Sequence, residues 1–471
     1  MKKSILFSLS CMLLILLLTF SIAKSFEVRQ PVFAGSWYPE NKGPLRKLVD
    51  FYLQNSEDLE LGNVRAIIVP HAGYEYSGQV AADSFVQINK DYDNVFVFIL
   101  GPSHQYPLKG VSIIPNQYST PLGKIESSDK IQDLLQEEII SEIPEAHRQE
   151  HSIEVELPFL QRKLNDLDLI PMIVGEIDPE ELKNILIKNL GEEDLIIVSV
   201  DLSHYNNYST ALNLDSSSVD SILNLEDQEI FNAEIDAPWA VSSLLKIAKE
   251  KNWKPYFISY ANSGDITRDI TSVVGYSAIV FVEKSSLTSN QEFLLELSRK
   301  TLETYYDENK VLEISKKEVP RKLRKNQACF VTLNNQDGLR GCIGDLSAEK
   351  PIYQCVIENS INAAINDARF SPVAKEELGD IKIDINLLTK PSKLKNENPQ
   401  ETLNKIKQYK HGVILKQGSH QSTYLPTVWD LISNKISFLE NLCVKGNMNK
   451  DCWQSPLTEI YVYESEDFKE D

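Results

Sequence analysis

Three histidines follow predicted β-strands at equivalent positions, within about four residues of each strand's end. They are His71, His104 and His204, in a chain of 471 residues that has only seven histidines. Two aspartates, Asp201 and Asp265, also follow predicted strands. Neutral imidazoles with a carboxylate suit non-heme ferrous iron, and zinc or copper accept the same ligands. The sequence therefore predicts a divalent-metal site, with iron as the first choice.

The elements that would bring these residues together are alternating strands and helices. Between residues 29 and 283, six runs rich in β-branched residues alternate with helical patterns, which is typical of an α/β domain with a largely parallel sheet. The runs cover residues 64–70, 94–101, 167–175, 194–201, 254–261 and 272–283. Loops after parallel strands converge on one crevice where ligands bind. One histidine after a strand is more often a turn residue, but three in equivalent positions favour a functional site.

Two residues near this site have more than one interpretation. His151 lies near the start of a predicted helix, where a capping or packing role and a role in the pocket are equally compatible with the pattern. Asp201 could orient or polarise groups in the pocket, or could itself bind the metal.

The first 25 residues have the pattern of an export signal, with two lysines, an apolar run from Ile5 to about Phe20, and small residues after it. An uncleaved membrane anchor is the alternative, because the run approaches the roughly 20 residues that span a bilayer. We therefore expect a periplasmic or extracellular protein, or one anchored by this segment. Cys11 lies in the segment, and the other five of the six cysteines leave at least one unpaired within the chain.

The rest of the chain divides at a short polar segment. Residues 284–290 are polar and serine-rich and predict a linker, and residues 291–465 predict a smaller α+β domain with less regular order of strands and helices. The formal net charge is −20, with acidic and basic residues mixed along the chain. Nucleic acid is therefore not an expected partner, whereas a small molecule or a peptide is.

Ordered motifs in the first domain resemble the Memo family over residues 29–283. They are PVFAGSWYP (31–39), PHAGYEYSG (70–78), LGPSH (100–104), EHSIEVELPFL (150–160), VDLSHY (200–205) and SYANSGD (259–265). The resemblance implies a fold similar to class III extradiol dioxygenases, whose iron is held by two histidines and a carboxylate. It implies that His71 and His104 bind the metal, that His204 is an acid–base catalyst and that Asp201 lines the same pocket. Animal members have a cysteine near SGDIT, and Asp265 is the predicted substitute here.

The last third of the chain resembles the AMMECR domain. The motifs include LRGCIGDL (339–346), NDARFSPV (366–373), YLPTVWD (424–430) and FLENLCVKG (438–446). Arg340 and Cys342 are the candidates for function there. The alternative is that Gly341 and Gly344 make a tight turn and that Cys342 packs as a small apolar residue.

Memo-like and AMMECR-like proteins occur with a radical-SAM protein in a system named AmmeMemoRadiSam, so the resemblance implies a radical-SAM partner. Two hypotheses follow for the chain itself. In the first it is an iron-dependent oxidoreductase or dioxygenase-like enzyme acting on a small substrate. In the second it is a metal-binding or peptide-binding partner protein without turnover, for which a filled coordination sphere would be evidence.

Overall fold

The computed structural model describes residues 28–88, 95–283, 287–336, 338–395 and 398–470. They form two compact units, which divide after Glu283, with residues 59–61 grouped with the second unit. The predicted export segment lies outside the described residues. The last two residues of the predicted linker are helical, because a helix begins at Ser289. No helix within the described ranges is both long enough and apolar enough to cross a membrane.

The first unit contains twelve strands and nine α-helices within the described residues. The strands are β1 (Val28–Arg29), β2 (Val64–Val69), β3 (Val95–Pro102), β4 (Val111–Ile113), β5 (Gln117–Thr120), β6 (Gly123–Ile125), β7 (Ile140–Ser141), β8 (Leu167–Val174), β9 (Leu195–Ser199), β10 (His204–Asn206), β11 (Trp253–Asn262) and β12 (Val273–Glu283). The helices are α1 (Lys42–Asn55), α2 (Tyr74–Phe85), α3 (Ile131–Leu134), α4 (Pro144–Arg148), α5 (Leu157–Lys163), α6 (Pro179–Asn189), α7 (Tyr208–Leu223), α8 (Pro238–Glu250) and α9 (Ser263–Thr267). Short 3-10 turns cover Glu154–Glu156 and Glu229–Asn232.

The main sheet is mixed, so the prediction of a largely parallel sheet is wrong. In the described chain its strands follow the order β10-β12-β2-β9-β3-β8-β4-β7, with β11 paired to β12. The central strands β2, β9, β3 and β8 are parallel, whereas β12 is antiparallel to β2, β10 and β11. Strands β11 and β12 are antiparallel because the connection between them is too short for the crossover that parallel strands require. A small separate sheet has the order β1-β5-β6.

The central strands are apolar because both faces of the sheet are covered. Every residue of β2 and β9 is buried, which explains why these segments are continuous apolar runs without alternation. Helix α8 packs its apolar side into the same core, where Leu244, Leu245 and Ile247 are fully buried. The central strands therefore form a rigid base for the loops at their carboxyl ends.

The second unit is built on an antiparallel sheet with helices beside it. Its strands are β13 (Ala328–Asn335), β14 (Gly338–Gly344), β15 (Lys382–Leu388), β16 (Ser392–Lys393), β17 (His411–Gln417), β18 (His420–Tyr424) and β19 (Glu459–Lys469). Its α-helices are α10 (Ser289–Glu308), α11 (Ile352–Ile365), α12 (Pro399–Lys405) and α13 (Lys435–Lys445), and short 3-10 turns cover Arg321–Arg324, Lys375–Gly379, Pro426–Asp430 and Cys452–Gln454. Two disulfides, Cys329–Cys355 and Cys443–Cys452, lie in this unit, and Cys342 is free.

Gly275 of β12 is required by the close approach of a buried carboxylate. A Cβ at this position would lie 2.0 Å from Oδ2 of Asp215. Asp215 cannot move freely, because it accepts hydrogen bonds from the Ser203 amide at 2.8 Å and from the Tyr260 hydroxyl at 2.6 Å. Gly275 thus leaves room for the buried Asp215 carboxylate, which accepts the amide of Ser203, the residue before His204.

We expect Gly275→Ala to lower the free energy of unfolding of the first unit by about 1–3 kcal/mol, as overpacking does. Gly43→Ala is the matched control, since a Cβ at this α1 position meets nothing within 4 Å. Urea unfolding followed by circular dichroism measures both. Equal stability of the two variants would contradict the role assigned to Gly275.

Candidate metal centre

Three imidazole rings gather at the carboxyl ends of the central strands. His71 follows β2, His104 follows β3, and His151 lies in the loop before the Glu154–Glu156 turn. The ring centroids are 5.1 Å apart for His71–His104, 5.1 Å for His71–His151 and 4.3 Å for His104–His151. Each ring offers a nitrogen within 4.8 Å of the other two, so the three could hold a metal ion.

A carboxylate lies against two of these imidazoles. Oδ2 of Asp236 is 2.9 Å from Nε2 of His71 and 3.5 Å from Nε2 of His104. Ligand atoms on one metal with bonds of about 2.1 Å lie about 3.0 to 3.4 Å apart, which is close to both distances. This oxygen is buried and has no well-aligned hydrogen bond from any described residue. The donor set of Asp236 and the two histidines therefore fits a divalent cation.

The imidazoles are held so that their Nε2 atoms face Asp236. Nδ1 of His71 lies 2.9 Å from the hydroxyl of Ser199, and Nδ1 of His104 lies 2.8 Å from Oε1 of Glu150. Such contacts at the second ring nitrogen are the usual means by which proteins orient metal-binding histidines. Glu150 also accepts the backbone N–H groups of His104 and His151, at 2.8 and 2.9 Å.

Asp201 ties the loops of the site together through backbone hydrogen bonds. Its Oδ1 accepts the His71 amide at 2.8 Å, and its own amide donates to Oδ1 of Asp236 at 3.1 Å. The Asp236 amide in turn donates to the carbonyl of Asp201 at 3.2 Å. His71, Asp201 and Asp236 form a second group with oxygens and nitrogens within 4.8 Å. Asp201 is therefore placed either to orient the site or to bind the ion.

The electrostatics of the cluster favour a positive charge. Burial alone would lower the pKa of His71, but the carboxylates of Asp236 and Asp201 outweigh it and raise that pKa to about 10. Burial likewise opposes the protonated form of His104, yet the neighbouring carboxylates of Asp236 and Glu150 raise its pKa to about 9. In the absence of a metal, protons on these imidazoles take the place of the cation that the carboxylates require.

Two other groups of the cluster are kept neutral by burial. The pKa of His151 is lowered to about 3 by burial and by its neighbours His71 and His104. Burial raises the pKa of Glu156 to about 8, and its carboxyl lies 3.0 Å from the Ser199 hydroxyl that contacts His71. His151 therefore presents a neutral imidazole, which is the form that binds a metal.

A cavity of about 760 Å³ opens beside the cluster. His204 and Asp201 line it together with His71, His104 and His151. His204 is half-buried on β10 and belongs to neither of the two groups that could hold a metal among the described residues. The predicted acid–base residue and the predicted ligands are thus brought to one cavity that a small organic molecule can enter.

Asp265 is not brought to the histidines. Its Oδ2 accepts the Asn262 amide at 2.9 Å in a reciprocal cap at the start of α9. Its Oδ1 accepts the Tyr208 hydroxyl at 2.7 Å. Neither metal-compatible group found in the described residues contains Asp265. The Asp265 carboxylate therefore caps the short helix that directly follows β11. The carboxylate beside His71 and His104 is that of Asp236.

The sequence interpretation did not identify Asp236. It lies in the loop before α8 and does not follow a strand, so the strand-end pattern could not find it. The usable signal was an acidic residue two positions before Pro238, where a helix begins. His151, which had two interpretations, lies in the cluster.

In the second unit, Arg340 is held by contacts with neighbouring residues. Its guanidinium pairs with both carboxylate oxygens of Glu377 at 3.0 Å and donates to the carbonyl of Ser371 at 2.6 Å. Gly341 lies in β14 and makes no tight turn. A Cβ at this position would lie only 2.0 Å from the Ala363 carbonyl oxygen, so the close packing here requires glycine. Cys342 is a partly buried free thiol whose amide donates to Asp367.

Comparison with known proteins agrees with this division. Residues 29–280 match the family described as Memo-like protein, and residues 295–468 match AMMECR1. A MEMO1 family protein of Methanosarcina barkeri is 34% identical over 267 residues, which covers 54% of this chain and 99% of the relative. A MEMO1 family protein of Sulfurisphaera tokodaii is 32% identical over 281 residues, with the same coverage of 54% and 99%.

Other relatives cover a shorter part of the chain. A protein of Methanopyrus kandleri is 38% identical over 188 residues, 38% of this chain and 88% of its own length. The crystal structure of an uncharacterized protein, PH0010 from Pyrococcus horikoshii, is 32% identical, covers 39% of this chain and 93% of that chain, and has a TM-score of 0.38. The Memo-like match covers more than half of this chain, and the AMMECR1 match follows it. The chain therefore belongs to the Memo-like protein family and carries an AMMECR1 domain.

Proposed function

We propose that the first unit binds one divalent metal ion, iron by first choice, and uses it for redox or oxygen-dependent chemistry on a small organic substrate. His71, His104 and Asp236 would hold the ion, with His151 as a further neutral ligand. The observation that carries the proposal is the buried Oδ2 of Asp236, which lies 2.9 and 3.5 Å from two imidazole nitrogens. Two histidines and one carboxylate with open positions are the ligand set of non-heme ferrous oxygenases.

The buried charges of the unit support a bound cation. The carboxylates of Asp236, Asp201 and Glu150 lie in or against the cluster. Asp201 is 4% exposed, Glu150 is 2% exposed and the Asp236 side chain is 15% exposed, so water solvates these carboxylates poorly. Buried carboxylates need cations or hydrogen-bond donors close by. A divalent ion would satisfy this need and would release the protons that the imidazoles otherwise hold.

His204 is the group proposed to move protons. It lines the cavity outside both metal-compatible groups, so its imidazole can reach a substrate without binding the ion. The Asp215 carboxylate holds the preceding Ser203 amide, and this contact fixes the loop that carries His204. Asp201 accepts the hydrogen bond of the His71 amide, which orients His71, and lines the same cavity. The metal, when bound, supplies Lewis-acid and one-electron chemistry.

The cavity beside the cluster favours turnover over a purely structural metal. A structural site is closed by protein ligands on all sides, whereas this cluster adjoins a space of about 760 Å³. The alternative is a metal-binding or peptide-binding partner protein without turnover. A radical-SAM partner stays a prediction from family resemblance.

Metal analysis of protein purified without added metal or a histidine tag tests the ligand set. We expect close to one iron per chain, and loss of at least about tenfold in affinity for His71→Ala, His104→Ala and Asp236→Asn. Asp265→Asn is the matched control and should keep its metal, since that carboxylate caps α9. Loss of metal in the Asp265 variant but not the Asp236 variant would overturn the assignment. No uptake of ferrous iron or copper by the native protein under anaerobic conditions would overturn the metal proposal.

Oxygen consumption with catechols, thiols and ascorbate tests turnover and the role of His204. We expect His204→Gln to keep its metal and to lose about 10²-fold or more in rate, as removal of a general acid or base does. His420→Gln, on an exposed histidine of β18, is the control that should leave the rate unchanged. Equal rates in the native protein and the His204 variant would contradict the assigned role, and metal binding with no consumption by the native protein would favour the partner-protein alternative.

We also infer that the chain is exported. The two disulfides of the second unit support this inference, because disulfides persist in oxidising compartments and are rare in the cytosol. Together with the apolar, lysine-preceded segment at residues 1–25, they favour the periplasm or the cell exterior.

The intact mass of the protein from its native host tests export and pairing together. We expect a mature chain that begins near residue 24. Alkylation without reduction should modify one thiol, Cys342, and alkylation after reduction should modify five. A full-length chain would indicate an anchor in place of a cleaved signal. Five thiols reactive without reduction would contradict both disulfides and the export inference that they support.

A further inference from the structure

The cavity beside the metal cluster has several aromatic residues in its lining. Trp37, Tyr76, Tyr205 and Tyr276 all line it. Trp37 lies against the cluster itself, since its ring centroid is 4.3 Å from that of His151. Aromatic faces carry negative partial charge and attract cations that come within about 6 Å of the ring.

Apart from its histidines, the ionisable side chains that line the cavity include carboxyl groups and tyrosines and no lysine or arginine among the described residues. The carboxyl groups are those of Glu75, which is exposed, and Asp201, whose pKa is raised by burial. The carboxylates of Asp236 and Glu150 contact His71 and His104, and their two negative charges balance either a divalent ion or the protons on these two imidazoles. The Glu75 carboxylate then leaves the cavity with an excess of negative charge. An anion entering the cavity would therefore be repelled, whereas a cation would be attracted.

Hydrogen bonds hold the segment that carries Trp37 in place. The buried carboxylate of Glu154 accepts the amides of Val32 and Phe33 and the hydroxyl of Tyr38, and so holds the segment that carries Trp37. The carbonyl of Trp37 also accepts an amide from α2 at 2.9 Å. A binding surface ordered in advance loses little conformational entropy when it takes a ligand.

Tyr205 has an unusual backbone conformation at the same cavity. Its φ is +60°, in the left-handed region, and it lies at a register shift between β10 and β12. Its side chain is 77% exposed, so burial of the ring does not stabilise this conformation. Strain at a non-glycine residue that nothing in the core requires points to a function for the side chain.

We propose that the cavity binds an organic amine, with its ammonium group held by the Glu75 carboxylate and the faces of Trp37 and Tyr205 and its remaining part directed toward the metal cluster. Any reaction of the amine rests on the proposed function, whereas binding of the amine does not. Neither Glu75 nor the aromatic residues belong to a metal-compatible group of the described chain. Acidic and aromatic groups together recognise ammonium better than either does alone.

Three probes of similar size and different charge test the proposal: phenethylamine, 2-phenylethanol and 3-phenylpropionate. Calorimetry on the full chain, with and without metal, should give at least about tenfold tighter binding of the amine than of the alcohol, and the weakest binding for the carboxylate. The same order is expected in His71→Ala, so a failure of the metal proposal and a failure of the amine proposal are separate results.

Two variants locate the effect. Glu75→Gln should reduce amine affinity about fivefold or more and leave the alcohol unchanged, whereas Glu142→Gln, on an exposed residue outside the cavity, should change neither. Tyr205→Gly should weaken amine binding while the protein stays folded, because glycine accepts φ of +60°. Asn252→Gly, at φ of +54° on an exposed turn, is its control. Equal affinity for the three probes, or an amine preference unchanged in both the Glu75 and Tyr205 variants, would overturn the proposal.

Discussion

Buried carboxylates at the carboxyl ends of the central strands are the constraint on which the site depends. Glu150, Glu154 and Glu156 come from one short stretch, and each is at most 2% exposed. A buried carboxylate is costly unless it is paired, hydrogen-bonded or neutralised. Glu154 pairs with Arg29 at 2.6 Å, Glu150 contacts His104 at 2.8 Å, and the raised pKa of Glu156 keeps it protonated near neutral pH.

The contacts of these three glutamates connect distant parts of the first unit. Glu154 fixes the segment that begins at Arg29 and leads to Trp37, Glu150 fixes the loop after β3, and Glu156 reaches Ser199 at the end of β9. One stretch of chain therefore positions the cavity wall, one metal-compatible histidine and the hydroxyl that orients His71. Replacement of any of these carboxylates would disturb both the fold around it and the geometry of the cluster.

The strand pattern of the sequence predicted which side chains come together, because parallel strands must bring their carboxyl ends to one edge. His71, His104, His204 and Asp201 meet there as expected. The antiparallel strands were not predictable from apolar runs, because a buried strand has the same composition in either direction. Asp236 lies beside the histidines in place of Asp265 for a related reason. Which carboxylate reaches the histidines depends on loop geometry and on the competing helix cap at Asn262, and neither is encoded in the residue type at a strand end.

Crystallographic anomalous scattering at the iron edge, on protein crystallised with ferrous iron under anaerobic conditions, tests the central claim most directly. We expect a single strong peak in the first unit, about 2.1 Å from Nε2 of His71, Nε2 of His104 and a carboxylate oxygen of Asp236. A peak beside Asp265 or in the second unit, or a peak at the cluster without contact to Asp236, would contradict it. So would iron-soaked crystals that show no peak at the histidines.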